Sequence, residues 1–172
     1  MDKIRVLIVD DHAIVRMGMV ALLNAQPNME AVGEAKNGEL GVKAALKLKP
    51  DVIVMDILMP VKNGIEATRE IKAALPDAKI LILTTSTSAN DLSAALKAGA
   101  MGMIPKTTSN ATLLSAVKSV AAGKRTVASE INEIIDSCPN VKAQEIIEEF
   151  PFLKSVKMKK ESSVAKYYEA DG

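Results

Sequence analysis

Apolar residues follow two alternating patterns through the first 123 residues of the chain. Short runs that are almost wholly apolar predict buried strands, and stretches with apolar residues at helical spacing predict helices. The predicted strands are 4–9, 30–34, 51–55, 79–83 and 101–104, and the predicted helices are 13–24, 38–48, 64–74, 90–98 and 110–122. This alternation predicts a three-layer α/β/α sandwich around a five-stranded parallel sheet of order 2-1-3-4-5, a flavodoxin-like fold.

The alternation stops after Gly123. Residues 124–172 show two short helical patterns, 129–137 and 143–150, followed by a lysine-rich run and a polar end. This stretch holds slightly more acidic than basic residues and resembles no helix-turn-helix. We therefore predict a domain over 1–123 and a short helical extension or linker over 124–172, for which DNA binding is not expected because DNA affinity depends largely on lysine and arginine.

The composition is that of an ordinary globular protein with an aliphatic core. Of the 172 residues 48% are hydrophobic and only 2% aromatic, and the net charge is +1, which does not favour nucleic acid or acidic membranes as a partner. A single cysteine, Cys138, excludes an internal disulfide and favours a reducing compartment. No apolar run reaches membrane-spanning length, so we predict a cytoplasmic protein without a membrane partner.

Charged residues follow three of the predicted strands, at the point where each strand ends. Asp10 and Asp11 come after the first strand, Asp56 after the third and Lys106 after the fifth. The carboxyl ends of parallel strands meet at one edge of the sheet, where such folds bind ligands. Adjacent carboxylates repel each other unless a cation compensates them, and Mg²⁺ prefers oxygen ligands. The sequence therefore predicts a magnesium site at this edge.

The same edge offers the groups that phosphoryl transfer needs. A carboxylate beside Mg²⁺ can act as a nucleophile and form an acyl phosphate. The charge on the transferred group then requires positive partners, and Lys106 is one candidate. The hydroxyl run Thr84–Ser88 follows the fourth predicted strand. Taken singly, Asp11 is equally well explained as a helix N-cap, and a lysine such as Lys106 is more often a solvated surface residue. Only the combination favours the chemical interpretation.

Several segments carry a family resemblance. They are Val9-Asp10-Asp11-His12, the ten residues 55–64 (MDILMPVKNG), Thr84-Thr85-Ser86, and residues 98–106 (AGAMGMIPK). In order and spacing they resemble the receiver domain of two-component response regulators. Residues 32–38 (VGEAKNG) further resemble the NarL/FixJ class. The resemblance covers residues 1–123.

The resemblance implies a role for each site residue. Asp56 would be the phosphoacceptor. Asp11 and Asp56 would bind Mg²⁺ directly, Asp10 through water, and the backbone carbonyl of Leu58 would complete the protein ligands. Thr84 would be the switch hydroxyl that moves toward the phosphoryl group.

The resemblance also implies partners. Lys106 would pair with the phosphoryl oxygens, and the donor would be a phosphohistidine on a histidine kinase or phosphotransfer protein. That partner would dock on the helix 13–24, which is apolar nearly all round, and on the loop after the fifth strand. The protein would not be an enzyme toward other substrates, because it would catalyse only its own phosphorylation and dephosphorylation. A homodimer formed on phosphorylation is a further implied partner.

Three positions depart from the family pattern. Met103 stands where many members have an aromatic switch residue, so a ring rotation cannot occur here. Pro105 precedes Lys106 and removes a backbone donor at the rim of the site. Leu58, two residues past Asp56, replaces a polar side chain that could position water, so we expect slow hydrolysis of the phosphoryl group.

Three other functions remain open on the sequence. One is a DNA-binding transcriptional regulator whose C-terminal output domain is diverged or truncated. A flavin-binding electron carrier shares the sheet topology, but Asp10 and Asp11 would repel a phosphate after the first strand. A phosphatase with an aspartyl nucleophile would place its two aspartates one residue apart after the first strand, whereas here they are adjacent.

Overall fold

The structure is a computed structural model that describes residues 2–139. The predicted helical pattern 143–150, the lysine-rich run and the polar end lie outside the described residues. The chain divides into a compact unit, Met1–Ile135, and a second unit, Asp136–Gly172, of which only the first four residues are described. The functional boundary predicted between residues 1–123 and residues 124–172 remains a prediction.

Strands and helices alternate along the described residues. The strands are β1 (Ile4–Val9), β2 (Met29–Ala35), β3 (Val52–Met55), β4 (Ile80–Thr84), β5 (Gly102–Pro105) and β6 (Thr126–Val127). The helices are α1 (Ala13–Asn24), α2 (Gly38–Leu48), α3 (Gly64–Ala74), α4 (Ala89–Lys97), α5 (Asn110–Ala121) and α6 (Ser129–Asp136). The ten elements predicted within residues 1–123 are all present; half of their ends coincide with the prediction, and the other half differ by one residue. None of the helices in residues 2–139 is long and apolar enough to cross a membrane.

The sheet has the predicted parallel order and one additional strand. Its order is β2-β1-β3-β4-β5-β6, and every neighbouring pair is parallel. The sixth strand follows a turn at Gly123, whose φ of 78° is readily adopted by glycine. The backbone N–H of Thr126 then donates to the carbonyl of Met101 at 3.1 Å, and that of Ala128 donates to Met103 at 2.9 Å. A strand of two residues is too short to produce a periodic pattern.

Aliphatic side chains cover both faces of the sheet. Along β1, Leu7 and Val9 belong to one buried cluster, whereas Val6 and Ile8 belong to the other. All four are 0% exposed. This two-sided burial explains why the central strands are continuous apolar runs and not alternating ones.

The helix α6 packs against elements that precede residue 123 and is not separate from them. Ile131 is only 2% exposed and lies in the same buried cluster as Leu92 of α4 and Met103 of β5. Ile134 and Ile135 are partly buried against that cluster. The compact body therefore extends past the boundary that the sequence pattern indicated, because β6 carries the chain back to the sheet.

Candidate functional site

The carboxyl ends of β1, β3 and β5 bring the predicted acids and lysine together. The Nζ atom of Lys106 lies 2.7 Å from Oδ2 of Asp10 and 2.9 Å from Oδ2 of Asp56. The side chains of both aspartates are almost fully buried, with 2% and 3% exposed, and that of Lys106 is 12% exposed. Three residues that are distant in sequence thus form one buried ion-pair cluster. Asp11 lies beside it and is partly exposed.

The backbone of Asp56 is held by its neighbours on both sides. Its N–H donates to the carbonyl of Val9 at 2.9 Å, which extends the pairing of β1 with β3 by one residue. The start of α3 then comes very close, because a Cβ atom at Gly64 would lie 1.9 Å from the carbonyl oxygen of Asp56. Only glycine allows the backbone at position 64 to lie so close to Asp56. The connection between β3 and α3 is therefore tight. Asn63 caps α3 through the backbone N–H groups of Ile65 and Glu66.

Arg16 anchors the loop between β1 and α1, a role that the sequence analysis missed. Its Nη1 atom donates to the backbone carbonyl of Asp10 at 2.7 Å. Its Nε atom donates to Oε1 of Glu34, on β2, at 3.3 Å. The backbone N–H of Asp10 donates in turn to the carbonyl of Ala35 at 3.0 Å. The helical spacing marks Arg16 only as a polar position on α1, so nothing in the pattern indicates these contacts.

His12 also faces the acidic residues. Its Nδ1 atom lies 3.0 Å from Oδ1 of Asp10 and 3.1 Å from Oδ1 of Asp11. The backbone N–H of His12 donates to the same oxygen of Asp10 at 2.8 Å. His12 is the N-cap residue of α1, but its side chain makes no capping hydrogen bond.

The electrostatics of the cluster balance burial against charge pairing. Burial raises the pKa of Asp56 above its ordinary value, although the hydrogen bond and positive charge of Lys106 oppose that shift. Burial by itself lowers the pKa of Lys106, but hydrogen bonds to Asp10 and Asp56 and their charges together outweigh it and raise that pKa. The lysine therefore stays an ammonium group.

The donor set fits a divalent cation. Asp56 Oδ1 and Asp11 Oδ1 are buried and accept no hydrogen bond, although His12 Nδ1 lies near the latter. One donor atom from each of Asp10, Asp11, His12 and Asp56 lies within 4.8 Å of the others. Buried anionic oxygens without a partner are unfavourable, and a hard cation such as Mg²⁺ would satisfy them.

Thr84 is the last residue of β4, whereas the sequence analysis placed it directly after that strand. Its carbonyl accepts the backbone N–H of Lys106 at 2.9 Å, which extends the pairing of β4 with β5. The side chain is buried, with 1% of the residue exposed, and its Oγ1 atom accepts the backbone N–H of Ser86 at 3.0 Å. The hydroxyl proton is not used in that bond and can be donated elsewhere.

A tight turn follows Asp56 on the outer side of the site. The backbone N–H of Lys62 donates to the carbonyl of Pro60 at 2.8 Å, with Val61 between them at a φ of 68°. A β-branched residue is unfavourable in this region of backbone space. Leu58 and Val61 project outward, 54% and 75% exposed. The structure gives no contact for the Leu58 carbonyl, so its role as a metal ligand remains a prediction.

The exposed side of α1 carries two large apolar side chains. Ile14 is 86% exposed and Met17 is 68% exposed. Beside them a groove of about 300 Å³ runs between α1 and α5 and reaches Lys106. The predicted all-round apolar character of α1 therefore reflects one buried side and one exposed apolar side.

Met103 is fully buried in β5, between Ile82 of β4 and Val127 of β6. Met103, which stands at the switch position of the family pattern, thus faces the buried apolar cluster that contains Ile131 of α6, and not the acidic pocket. Pro105 is the last residue of β5 and pairs with Thr84.

The fold and the acidic edge define a receiver-type α/β protein. Residues 6–118 match the family model of the response regulator receiver domain, so the chain belongs to that family. It is 41% identical over 128 residues to the transcriptional regulatory protein LiaR of Bacillus subtilis, an alignment that covers 74% of this chain and 61% of LiaR. It is 39% identical over 154 residues to the uncharacterized transcriptional regulatory protein YxjL of the same organism, covering 87% of this chain and 71% of YxjL.

Solved structures agree with this assignment. A two-component response regulator of the LuxR family from Aurantimonas sp. SI85-9A1 superposes with a TM-score of 0.74 at 34% identity, covering 78% of this chain and 96% of that one. The isolated receiver domain of RcsB from Salmonella enterica serovar Typhimurium, with the phosphomimetic BeF3−, has a TM-score of 0.70 at 26% identity, covering 78% and 99%. The chain spans 61% of the length of LiaR, so the activity of such a whole regulator is not established for it.

Proposed function

We propose that Asp56 is the phosphoacceptor of this receiver and that Asp10, Asp11, Asp56 and the carbonyl of Leu58 hold Mg²⁺ beside it. The observation that carries the proposal is that the two carboxylate oxygens of Asp56 have different surroundings. Oδ2 pairs with Lys106, whereas Oδ1 is buried and has no hydrogen-bond partner. A carboxylate with one restrained oxygen and one unpaired oxygen is well prepared for nucleophilic attack.

The reaction balances with the groups present. A carboxylate oxygen of Asp56 forms a bond to phosphorus while the bond between phosphorus and the imidazole nitrogen of the donor breaks, and the electron pair returns to that imidazole. Bound Mg²⁺ would neutralise charge on the transferred group. Lys106, already between Asp10 and Asp56, supplies a second positive charge there.

Thr84 is proposed to report the phosphorylated state. Its hydroxyl accepts one hydrogen bond and keeps its own proton available. A phosphoryl group on Asp56 would offer new acceptor oxygens, and a donating Thr84 would draw the β4–α4 loop with it. The cavity of about 310 Å³ between that loop, β5 and α6 gives room for such a movement.

The phosphodonor is proposed to be a histidine kinase or a phosphotransfer protein that docks on α1. The apolar side chains of Ile14 and Met17 are exposed there, and the adjacent groove leads to Lys106. Burying such side chains against a partner is favourable. In this role the chain acts on itself alone, through its own phosphorylation and dephosphorylation, and not as an enzyme with other substrates.

Intact-mass spectrometry tests the phosphoacceptor directly. Wild type, Asp56→Asn and Asp51→Asn are incubated with acetyl phosphate and Mg²⁺. We expect one phosphoryl group on wild type and on Asp51→Asn, whose aspartate is an exposed neighbour outside the pocket, and none on Asp56→Asn. Phosphorylation that persists in Asp56→Asn at the wild-type level would refute the assignment.

A second candidate function is that of a DNA-binding transcriptional regulator with a diverged or truncated output domain. The names of LiaR and YxjL favour it, and the alignment with YxjL covers 87% of this chain. The small negative charge of residues 124–172 opposes it. A gel shift of the phosphorylated chain with salt titration separates the two, because phosphate contacts make DNA binding steeply salt-dependent. Size-exclusion chromatography before and after phosphorylation tests the predicted homodimer.

A further inference from the structure

His12 completes a mixed nitrogen and oxygen donor set that the magnesium interpretation leaves unexplained. It is the only histidine of the chain, and its ring turns toward the acids although the side chain is largely exposed, at 62%. The ring makes no capping hydrogen bond with α1. A single Nδ1–H can serve only one of the two carboxylate oxygens that lie near it.

The spacing of the donors matches the edge of a coordination octahedron. Metal–ligand bonds of about 2.1 Å place neighbouring ligands about 3 Å apart. Nδ1 of His12 lies 3.0 Å from Oδ1 of Asp10 and 3.1 Å from Oδ1 of Asp11. Together with Asp56, these residues offer donor atoms within 4.8 Å of one another. Lys106 holds Oδ2 of Asp10 and Oδ2 of Asp56, which leaves Oδ1 of Asp56 without a hydrogen-bond partner. Oδ1 of Asp10 accepts the backbone N–H of His12 at 2.8 Å and keeps a second lone pair for a cation.

Nitrogen and oxygen donors select different cations. Mg²⁺ prefers oxygen ligands throughout, whereas imidazole suits ions such as Co²⁺, Ni²⁺ and Zn²⁺. An imidazole at this spacing therefore adds affinity for Co²⁺, Ni²⁺ and Zn²⁺ and little affinity for Mg²⁺. The unpartnered and buried Oδ1 of Asp56 independently indicates that a cation belongs here.

We infer that His12 is a metal ligand which shifts the specificity of the phosphoacceptor site toward first-row transition ions that favour nitrogen. The inference rests on the proposed function, because it uses the same carboxylates. It predicts that the site binds Co²⁺ with the imidazole of His12 as an additional ligand, and Mg²⁺ without it.

Isothermal titration calorimetry of the untagged full chain tests the inference. Cys138→Ser is the common background, because a free thiol also binds such ions. His12→Ala in that background should weaken Co²⁺ binding about tenfold or more while changing the Mg²⁺ affinity less than about twofold. Asp11→Asn is the matched control for the site, and it should weaken both cations. Equal effects of His12→Ala on Co²⁺ and Mg²⁺, or no effect on Co²⁺, would overturn the inference.

A second readout observes the ligand itself. Because the chain has one histidine, its imidazole ¹⁵N signals belong to His12 without assignment. Addition of Zn²⁺ to the Cys138→Ser protein should shift the Nδ1 signal strongly, and addition of Mg²⁺ should shift it little. An unchanged Nδ1 signal with Zn²⁺ bound would also overturn the inference. If neither cation binds, or Asp11→Asn has no effect, the failure lies in the proposed metal site and not in the role of His12.

Discussion

The acidic pocket and the contact of α6 are stabilised in opposite ways. The acidic pocket buries Asp10, Asp56 and Lys106, and its free energy depends on charges that compensate each other. The contact of α6 buries the aliphatic side chain of Ile131 among other apolar residues. The first contact is unfavourable when the positive charge that compensates the two carboxylates is missing, whereas the second is favourable under all ionic conditions.

The acidic pocket contains an arrangement that does not favour stability. The unpaired oxygen of Asp56 is a polar atom that a purely structural core would exclude. The α6 contact has no such atom and only adds burial to a core that is already continuous. The two regions should therefore respond differently to Mg²⁺ and to pH, and substitutions can separate them.

The largest effect on stability is expected for Lys106→Met. It leaves the carboxylates of Asp10 and Asp56 buried without a cation, which should lower the free energy of unfolding by about 3 to 5 kcal/mol in the absence of Mg²⁺. Mg²⁺ should restore much of that loss. Urea denaturation with EDTA and with Mg²⁺ measures both values. Lys43→Met is the control, because Lys43 forms an exposed pair with Glu39 and should change little; an equal loss in both variants would contradict the account.

Ile131→Ala should lower the free energy of unfolding by about 2 to 4 kcal/mol, the range for truncating a buried isoleucine. Mg²⁺ should not restore this loss, since no charge is involved. Ile14→Ala is the matched control, because Ile14 is 86% exposed and its truncation should be nearly neutral. A wild-type stability for Ile131→Ala would mean that α6 does not pack on the sheet in solution.

Asp56→Asn is expected to raise the stability of the protein in the absence of Mg²⁺, by less than the two preceding variants lower it. Burial raises the pKa of Asp56, so its ionised form is less favourable in the folded than in the unfolded protein. The penalty is absent below the pKa of the unfolded carboxyl, grows as the pH rises from that pKa to the raised pKa of the folded protein, and is constant above it. The variant should therefore melt above wild type at neutral pH, and the difference should shrink toward about pH 3. A variant that melts below wild type at neutral pH would contradict this sign.

The smallest change is expected for Leu58→Asn, which should leave stability unaltered because Leu58 is 54% exposed. The new amide would position an attacking water, so the phosphoryl half-life should shorten a few-fold. Decay of the phosphorylated mass after removal of the donor measures it. Val61→Asn, in the same exposed turn, is the control, and an identical half-life for wild type and Leu58→Asn would dismiss the hydrolysis hypothesis.

The apolar periodicity was sufficient to predict the parallel sheet and its five main strands. Both faces of the sheet are covered, so strands such as β1 and β3 read as continuous apolar runs that local patterns reveal. The acidic edge could be predicted for a related reason, because parallel strands all end on one side. The position of each charge after its strand then places Asp10, Asp56 and Lys106 together.

Individual side-chain contacts in the site could not be predicted from any pattern along the sequence. The anchoring of Asp10 by Arg16, the turn of the His12 ring and the unpaired oxygen of Asp56 depend on side-chain directions that only packing sets. The strand β6 exists because Gly123 returns the chain to β5, and its two residues have no periodicity of their own. Local propensity acts over a few neighbouring residues and so decides the elements, whereas atom-to-atom geometry between distant segments is decided when the whole core closes around them.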